Sequence, residues 1–168
     1  AEASITASFL CAGQSCTAGE LFLVHEDVHD DFVEKVRAAV ERSVRLGDPF
    51  AESTTMGPLN NASTADKTDK HVADAVERGA RVVVGGERAS GFPTDLYWQA
   101  TVLADVTEEM EIAREETFGP VVPVLRISSD EEALQATRGP ADKGVEARVN
   151  RLLSKMTLEE KLEQIQLL

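Results

Sequence analysis

The sequence predicts an α/β fold in which a β-sheet is covered on both faces by helices. Segments with apolar residues at helical spacing alternate, over the first 137 residues, with short runs that are apolar throughout. Such runs are typical of strands buried on both faces, which requires a layer of helices on each side. The chain has 168 residues, 42% of them hydrophobic, and six prolines, which is enough for a core and argues against disorder.

The N-terminal elements lead into and out of a loop of small residues. The apolar run 5–11 predicts a helix that stops by Gly13, and 21–24 predicts a buried strand. Asp27 or Asp30 can cap the helix that follows, and Gly47 ends it at about residue 46. The apolar face of that helix is Phe32, Val36, Ala39, Val40 and Val44.

A second amphipathic helix and three further strands complete the predicted sheet. Residues 65–78 form a helix whose apolar face includes Val72, Ala75 and Val76, and Gly79 stops it. The remaining predicted elements are strands over 81–84, 97–106 and 121–127, an irregular or briefly helical stretch over 108–118, and a helix over 130–137.

The composition changes near residue 138. Residues 138–144 contain Gly-Pro and a further glycine, which is typical of a linker. Residues 145–168 have two amphipathic patterns separated by a capping box at 157–160, and they predict a C-terminal helical hairpin. Residues 138–168 carry six basic and five acidic side chains, which leaves 11 basic and 25 acidic ones before them. We therefore predict a domain over 1–137, a linker over 138–144 and a helical tail over 145–168.

The charge and the apolar runs exclude several classes of partner. A formal net charge of −13 disfavours nucleic acid, and no apolar run approaches the roughly 20 residues that span a membrane. The first residues lack a signal-peptide pattern. Two cysteines, Cys11 and Cys16, do not form a disulfide scaffold, so we expect a reducing cytoplasm.

Cys16 is the candidate nucleophile. It follows a helix that ends at a glycine, lies among small residues and precedes a strand, so its backbone would be fixed at both ends. A thiol reacts as the thiolate and needs partial exposure. The alternative from the residues alone is a small buried cysteine that only packs.

Two blocks about 100 residues apart indicate a family. Residues 13–18, Gly-Gln-Ser-Cys-Thr-Ala, resemble the nucleophile segment of the NAD(P)-dependent aldehyde dehydrogenases, and residues 115–121, Glu-Glu-Thr-Phe-Gly-Pro-Val, resemble that family's second signature. The anchors that fall between them in the family's order are 47–49, 56–58, 79–81, 85–86 and 101–103. The resemblance covers residues 1 to about 137 and implies part of an aldehyde dehydrogenase catalytic domain.

The resemblance implies oxidation of a small aldehyde to a carboxylic acid with NAD or NADP. Cys16 would attack the aldehyde carbon, its own N–H would form part of an oxyanion hole, Glu116 would bind the nicotinamide ribose hydroxyls and Phe118 would pack beside the nicotinamide. The residues alone would make Glu116 a solvated acid and Phe118 a core aromatic. The family is also homo-oligomeric.

The pattern departs from the family at several places. Cys11 stands where the family commonly has Asn or Ala. The family's general-base Glu, its oxyanion Asn and its dinucleotide-binding domain fall before Ala1, and later catalytic-domain segments are not matched. We therefore expect negligible turnover from this chain alone.

The alternative function is a non-catalytic fusion fragment that self-associates or binds a partner through exposed sheet edges.

Two further patterns concern the tail and a metal. Residues 148–161 resemble the N-terminal opening of family 3 glycoside hydrolases, which implies a fusion but brings no catalytic residue. Residues 25–29, His-Glu-Asp-Val-His, fit the zinc-protease pattern, and His71 could be imagined as a third ligand. We predict no metal site, because this motif falls at a strand-to-helix junction where the two histidines straddle the turn.

Overall fold

A four-stranded mixed sheet forms the centre of the part of the chain that the computed structural model describes, residues 1–136. The strand order is β1-β4-β3-β2; β4 runs parallel to both of its neighbours, and β2 is antiparallel to β3. The strands are β1 (Phe22–His25), β2 (Arg81–Val84), β3 (Thr101–Val106) and β4 (Val121–Ile127). The α-helices are α1 (Glu2–Phe9), α2 (Glu26–Ser43), α3 (Ala62–Glu77), α4 (Glu111–Arg114) and α5 (Asp130–Ala136), with a turn at Leu10–Gly13.

The predicted α/β architecture is confirmed, and its core lies around the two middle strands. In β3 and β4 every residue except Asp105 and Arg126 is buried. Helix α2 packs against the sheet through Val33, Val36, Ala39 and Val40. The strand β1 lies at an edge of the described sheet, so only Val24 is buried in it, and the prediction of a buried strand was too strong.

Helix α2 differs from the prediction at both ends. Its N-cap is His25, whose ring Nδ1 accepts the N–H of Asp27 at 3.3 Å, so neither Asp27 nor Asp30 is the cap. It ends at Ser43, and Gly47 does not end it. Beyond that end, the backbone of Arg45 hydrogen bonds to Thr55: its N–H donates to Thr55 Oγ1 at 2.7 Å, and its carbonyl accepts the N–H of Thr55 at 2.9 Å.

Helix α3 and the strands after it follow the prediction with shifted bounds. Asn61 caps α3 through the N–H of Thr64 at 2.8 Å, which places the start three residues earlier than expected. The buried stripe of α3 runs through Thr68, His71, Val72 and Ala75. Val76 follows the last buried residue of that stripe and is 45% exposed, so its placement on the apolar face was wrong. The strand predicted over 97–106 is regular only from Thr101.

The described residues divide by contacts into Ala1–Ala133, which holds the whole sheet, and the start of a second unit, Leu134–Leu168. The predicted linker at 138–144 and the predicted hairpin at 145–168 lie outside the described residues. Among residues 1–136, no helix has the length and apolar character needed to cross a membrane.

Candidate active site

Cys16 lies at the tip of a tight turn, and its side chain is exposed to solvent. The turn is closed by the N–H of Ala18, which donates to the carbonyl of Ser15 at 2.9 Å. The hydroxyls of Ser15 and Thr17 also hydrogen bond to each other at 2.9 Å. A thiol needs access to an electrophile in order to act as a nucleophile, and this position provides it. The alternative of a buried packing cysteine is therefore excluded.

Side-chain and backbone bonds fix the thiol turn on both sides. On the N-terminal side, the amide of Gln14 donates to the carbonyl of Cys11 at 2.9 Å and accepts the N–H of Asn60 at 2.8 Å. On the C-terminal side, the N–H of Gly19 donates to the carbonyl of Ala7 at 3.0 Å, and Ser8 Oγ donates to the carbonyl of Gly19 at 3.0 Å. The turn that contains Cys16 is thus held by hydrogen bonds to α1 and to the segment before α3.

Gly13 brings the thiol segment against the second signature block. Three consecutive residues, Cys11, Ala12 and Gly13, have left-handed backbone angles, with φ of 52°, 55° and 75°. A Cβ at Gly13 would overlap the carbonyl oxygen of Gly119 and lie 2.6 Å from its carbonyl carbon. Only glycine permits this approach, because it has no Cβ and tolerates the left-handed region without strain.

Glu20 makes a second connection between the same two segments. One of its carboxylate oxygens accepts the N–H of Thr117 at 3.0 Å and the other accepts the N–H of Phe118 at 3.2 Å. Burial raises the pKa of Glu20 above its usual value, although the two amide bonds oppose that rise. Glu116 raises it further by repulsion, and Lys67 lowers it.

Helix α3 supports the 115–119 segment from another side. Its buried His71 contacts Thr117 through Nδ1 and Oγ1 at 3.0 Å, and Nε2 lies 3.8 Å from the carboxylate of Glu115. Burial lowers the pKa of His71 below its ordinary value. A Cβ at Gly119 would meet the hydroxyl of Thr68, so this helix also packs closely on the glycine.

The three predicted site residues, Cys16, Glu116 and Phe118, belong to segments that the fold joins. Cys16 is three residues from Gly13 and four from Glu20, and both of these residues contact the 117–119 backbone. An extended chain covers at most about 3.6 Å per residue, so the Cα of Cys16 lies within about 11 Å of that of Gly13. Glu116 is exposed, and Phe118 is half-buried with φ 55°.

The histidines of the zinc-protease pattern have other partners. His25 caps α2, and its Nε2 lies 3.1 Å from the carbonyl oxygen of Ser128. His29 is buried inside the first turn of the helix and contacts Asp30 through Nδ1 at 2.9 Å. His71 contacts Thr117 instead of either of them. Within residues 1–136 there is no group of three or more His, Cys, Asp or Glu side chains that could hold a metal ion.

Reasoning from the sequence missed Glu20 and the contact that His71 makes. A signal existed for each of them. Glu20 is the single acid between a loop of small residues and an apolar strand, and His71 lies three residues after Thr68 and four before Ala75 on one face of α3. A polar residue in such a setting needs a specific partner. Neither signal names that partner, because both partners lie in a segment distant in sequence.

Comparison with known proteins agrees with this geometry. The sequence model of the Aldehyde dehydrogenase family matches residues 1–138. Mitochondrial succinate-semialdehyde dehydrogenase of Rattus norvegicus is 42% identical over 142 residues, which cover 84% of this chain and 27% of the rat protein. The crystal structure of succinate-semialdehyde dehydrogenase from Burkholderia pseudomallei superposes with a TM-score of 0.78 at 36% identity, over 82% of this chain and 28% of that one.

A Mycobacterium tuberculosis aldehyde dehydrogenase whose crystal structure contains NAD⁺ superposes with a TM-score of 0.74 at 31% identity, over 79% of this chain and 27% of that one. The chain thus spans between a quarter and a third of the length of the relatives it matches. The family match, these similarities and the meeting of the two signature blocks agree: the chain belongs to the aldehyde dehydrogenase family.

Proposed function

We propose that this chain carries the nucleophile and part of the cofactor site of an enzyme that oxidises an aldehyde to a carboxylic acid with NAD or NADP. The observation that supports this most directly is the placement of Cys16. Its thiol is exposed, and residues three and four positions away on either side contact the segment that contains Glu116 and Phe118. A nucleophile beside a cofactor-binding segment is the arrangement that the reaction requires.

In this chemistry Cys16 acts as a covalent nucleophile. Its sulfur adds as the thiolate to the aldehyde carbon and forms the anion of a thiohemiacetal. Loss of hydride from that carbon to an oxidised nicotinamide would then leave an acyl thioester on the sulfur. Water then releases the acid and restores the thiol. The N–H of Cys16 is the donor that we assign to the oxygen that becomes negative in the first step.

The residues of the second block fit the nicotinamide end of the cofactor. Glu116 presents an exposed carboxylate, which can accept hydrogen bonds from two adjacent ribose hydroxyls. The half-buried ring of Phe118 offers an apolar surface next to it. NAD or NADP, when bound, supplies the hydride acceptor for the oxidation. We assign Glu116 and Phe118 to binding and orientation.

The substrate class that we propose is a small aldehyde. Relatives of this chain are named for succinate semialdehyde and for 3-sulfolactaldehyde, two aldehydes that carry an acidic group. Cytoplasmic localisation stays a prediction, since the name of the rat relative places that protein in mitochondria. Assembly into a homo-oligomer is likewise a proposal from the family.

The nucleophile can be tested without the cofactor. A polypeptide of these 168 residues would be treated with p-nitrophenyl acetate, an activated ester that acylates a reactive thiolate, and the modified peptide would be located by mass spectrometry. We expect the acetyl group on Cys16 and its loss in Cys16→Ser. Cys11→Ser is the matched control, because both thiols are exposed and lie in the same segment. Labelling of Cys11 alone would contradict the assignment.

Turnover requires a separate measurement. The same polypeptide would be mixed with a simple aldehyde and NAD or NADP, and reduced cofactor would be followed by absorbance. We expect negligible turnover, because the 142 residues that match the rat relative cover only 27% of that protein. Sustained turnover that Cys16→Ser abolishes would contradict this expectation while supporting the assignment of the nucleophile.

A further inference from the structure

Glu20 lies where the thiol turn meets the 115–119 segment. Its two carboxylate oxygens accept two neighbouring backbone amides, Thr117 N–H at 3.0 Å and Phe118 N–H at 3.2 Å. Both amides point at one side chain, and an ionised carboxylate has an acceptor for each of them. Hydrogen bonds of this kind are roughly twice as strong as those between neutral groups.

One of the two amides belongs to a residue in an unfavourable backbone conformation. Phe118 has φ 55°, in the left-handed region that is unfavourable for a residue with a Cβ. Such a conformation persists only when its surroundings hold it. The bond from Phe118 N–H to Glu20 is a contact that holds it, and Glu116 is two residues before it on the same short segment.

We propose that Glu20 is a positioning residue: its carboxylate fixes the backbone at Thr117 and Phe118 to the thiol segment and thereby sets where Glu116 and the Phe118 ring lie relative to Cys16. This role rests on the proposed function of Glu116 and Phe118 in holding the nicotinamide ribose. Glu20 acts through these residues and does not touch the reacting atoms.

Glutamine is the informative substitution at this position. It keeps the size of the side chain and one acceptor oxygen, but its other terminal atom is an NH₂ group that would face the second backbone N–H. Glu20→Gln therefore removes one of the two bonds. Glu52→Gln is the matched control, since Glu52 is an exposed glutamate in the loop after α2.

The first readout is hydrogen exchange of the Thr117 and Phe118 amides, measured by NMR on the 168-residue polypeptide. The amide that loses its hydrogen bond to the charged group in Glu20→Gln should exchange about 10- to 100-fold faster. Glu52→Gln should leave both amides unchanged. Unchanged exchange in Glu20→Gln overturns the proposal.

The unmodified polypeptide provides a second measurement that does not depend on the variant folding. Protonation of Glu20 turns one of its two acceptor oxygens into an O–H group, so the protection of at least one of the two amides should fall as the pH drops through the raised pKa of Glu20. The charged groups that act on this carboxyl are Glu116 and Lys67. In Glu20→Gln the protection should not depend on pH in that range, and pH-independent protection in the unmodified chain overturns the proposal.

The last readout separates positioning from simple support. Nicotinamide mononucleotide, the half of the cofactor that contains the nicotinamide ribose, is titrated while the amide resonances of Glu116 and Phe118 are followed. We expect several-fold weaker binding to Glu20→Gln, because only molecules with the segment held in place are competent. Faster exchange with unchanged binding would make Glu20 merely structural and overturn the proposal. No binding to the unmodified chain, with exchange still responsive, would overturn the proposed function of the segment separately.

Discussion

The approach of Gly13 to Gly119 makes Gly13→Ala the most direct test of how the two signature blocks are joined. The new Cβ would lie 2.6 Å from the Gly119 carbonyl carbon, whereas ordinary contacts are 3.4–4 Å, so the two segments must separate by at least 0.8 Å. The atom in the way is backbone and cannot rotate aside. Close-packed interiors accommodate such a shift poorly.

The expected loss of stability combines two costs. Alanine in a left-handed conformation costs roughly 1–2 kcal/mol, and overpacking adds about 1–3 kcal/mol, which gives a decrease in the free energy of unfolding of about 2–5 kcal/mol. Gly91→Ala isolates the first cost, because Gly91 has φ 84° and a Cβ there would meet nothing within 4 Å. We expect about 1–2 kcal/mol for this control.

Urea denaturation of both variants, with linear extrapolation, measures the difference. Alkylation of Cys16 by iodoacetamide under native conditions provides a second readout, since separation of the segments moves the thiol turn but leaves the Gly91 loop alone. Equal destabilisation by Gly13→Ala and Gly91→Ala would refute the close approach. The close approach would also be refuted if Gly13→Ala lowered the stability but left the alkylation rate of Cys16 in the folded protein unchanged.

Two further predictions concern the helix that supports the site. Burial lowers the pKa of His71, so the folded state favours the neutral imidazole. The contribution of His71 to the free energy of unfolding should therefore be fully present above pH about 6.5 and should decrease as the pH falls below that value. His71→Asn should remove this dependence from urea midpoints measured between pH 8 and 5.5. Asp69 accepts the indole N–H of the buried Trp98 at 2.8 Å, so Asp69→Ala should lower the free energy of unfolding by about 1–3 kcal/mol, followed by the fluorescence of this single tryptophan. Asp66→Ala, at a 71% exposed side chain, should change it by less than about 0.5 kcal/mol.

Local patterns predicted the elements whose structure is decided locally. The strand over 121–127 is apolar and largely β-branched, and it forms β4 with the bounds expected. Gly79, with φ 104°, follows the end of α3 as a C-terminal glycine should. The end of α2 could not be predicted in this way, because it depends on hydrogen bonds between Arg45 and Thr55, ten residues apart, that no helical periodicity reveals.

In the candidate site, too, the features that depend on local sequence were predictable and those that depend on distant contacts were not. The exposure of Cys16 follows from a thiol in a loop of small residues, and the structure confirms it. The joining of that loop to residues 115–119 depends on contacts over about 100 positions, and only the resemblance to a family indicated it. Glu20 and His71, which make or support those contacts, contain no motif and are recognised only by their partners.

Exposure separates the residues that we propose for the chemistry and for cofactor binding from the residues that hold them in place. Cys16 and Glu116 are exposed, whereas Ala12, Thr117 and Gly119, close to them in sequence, are buried. An exposed side chain contributes little to stability, so its position must come from the backbone beneath it, and here that backbone is held by close packing and by charged hydrogen bonds. Changes at buried positions with no chemistry of their own should therefore disturb the reactivity of the thiol, while exposed substitutions elsewhere should not. This asymmetry is expected wherever exposed residues are positioned by a close-packed interior.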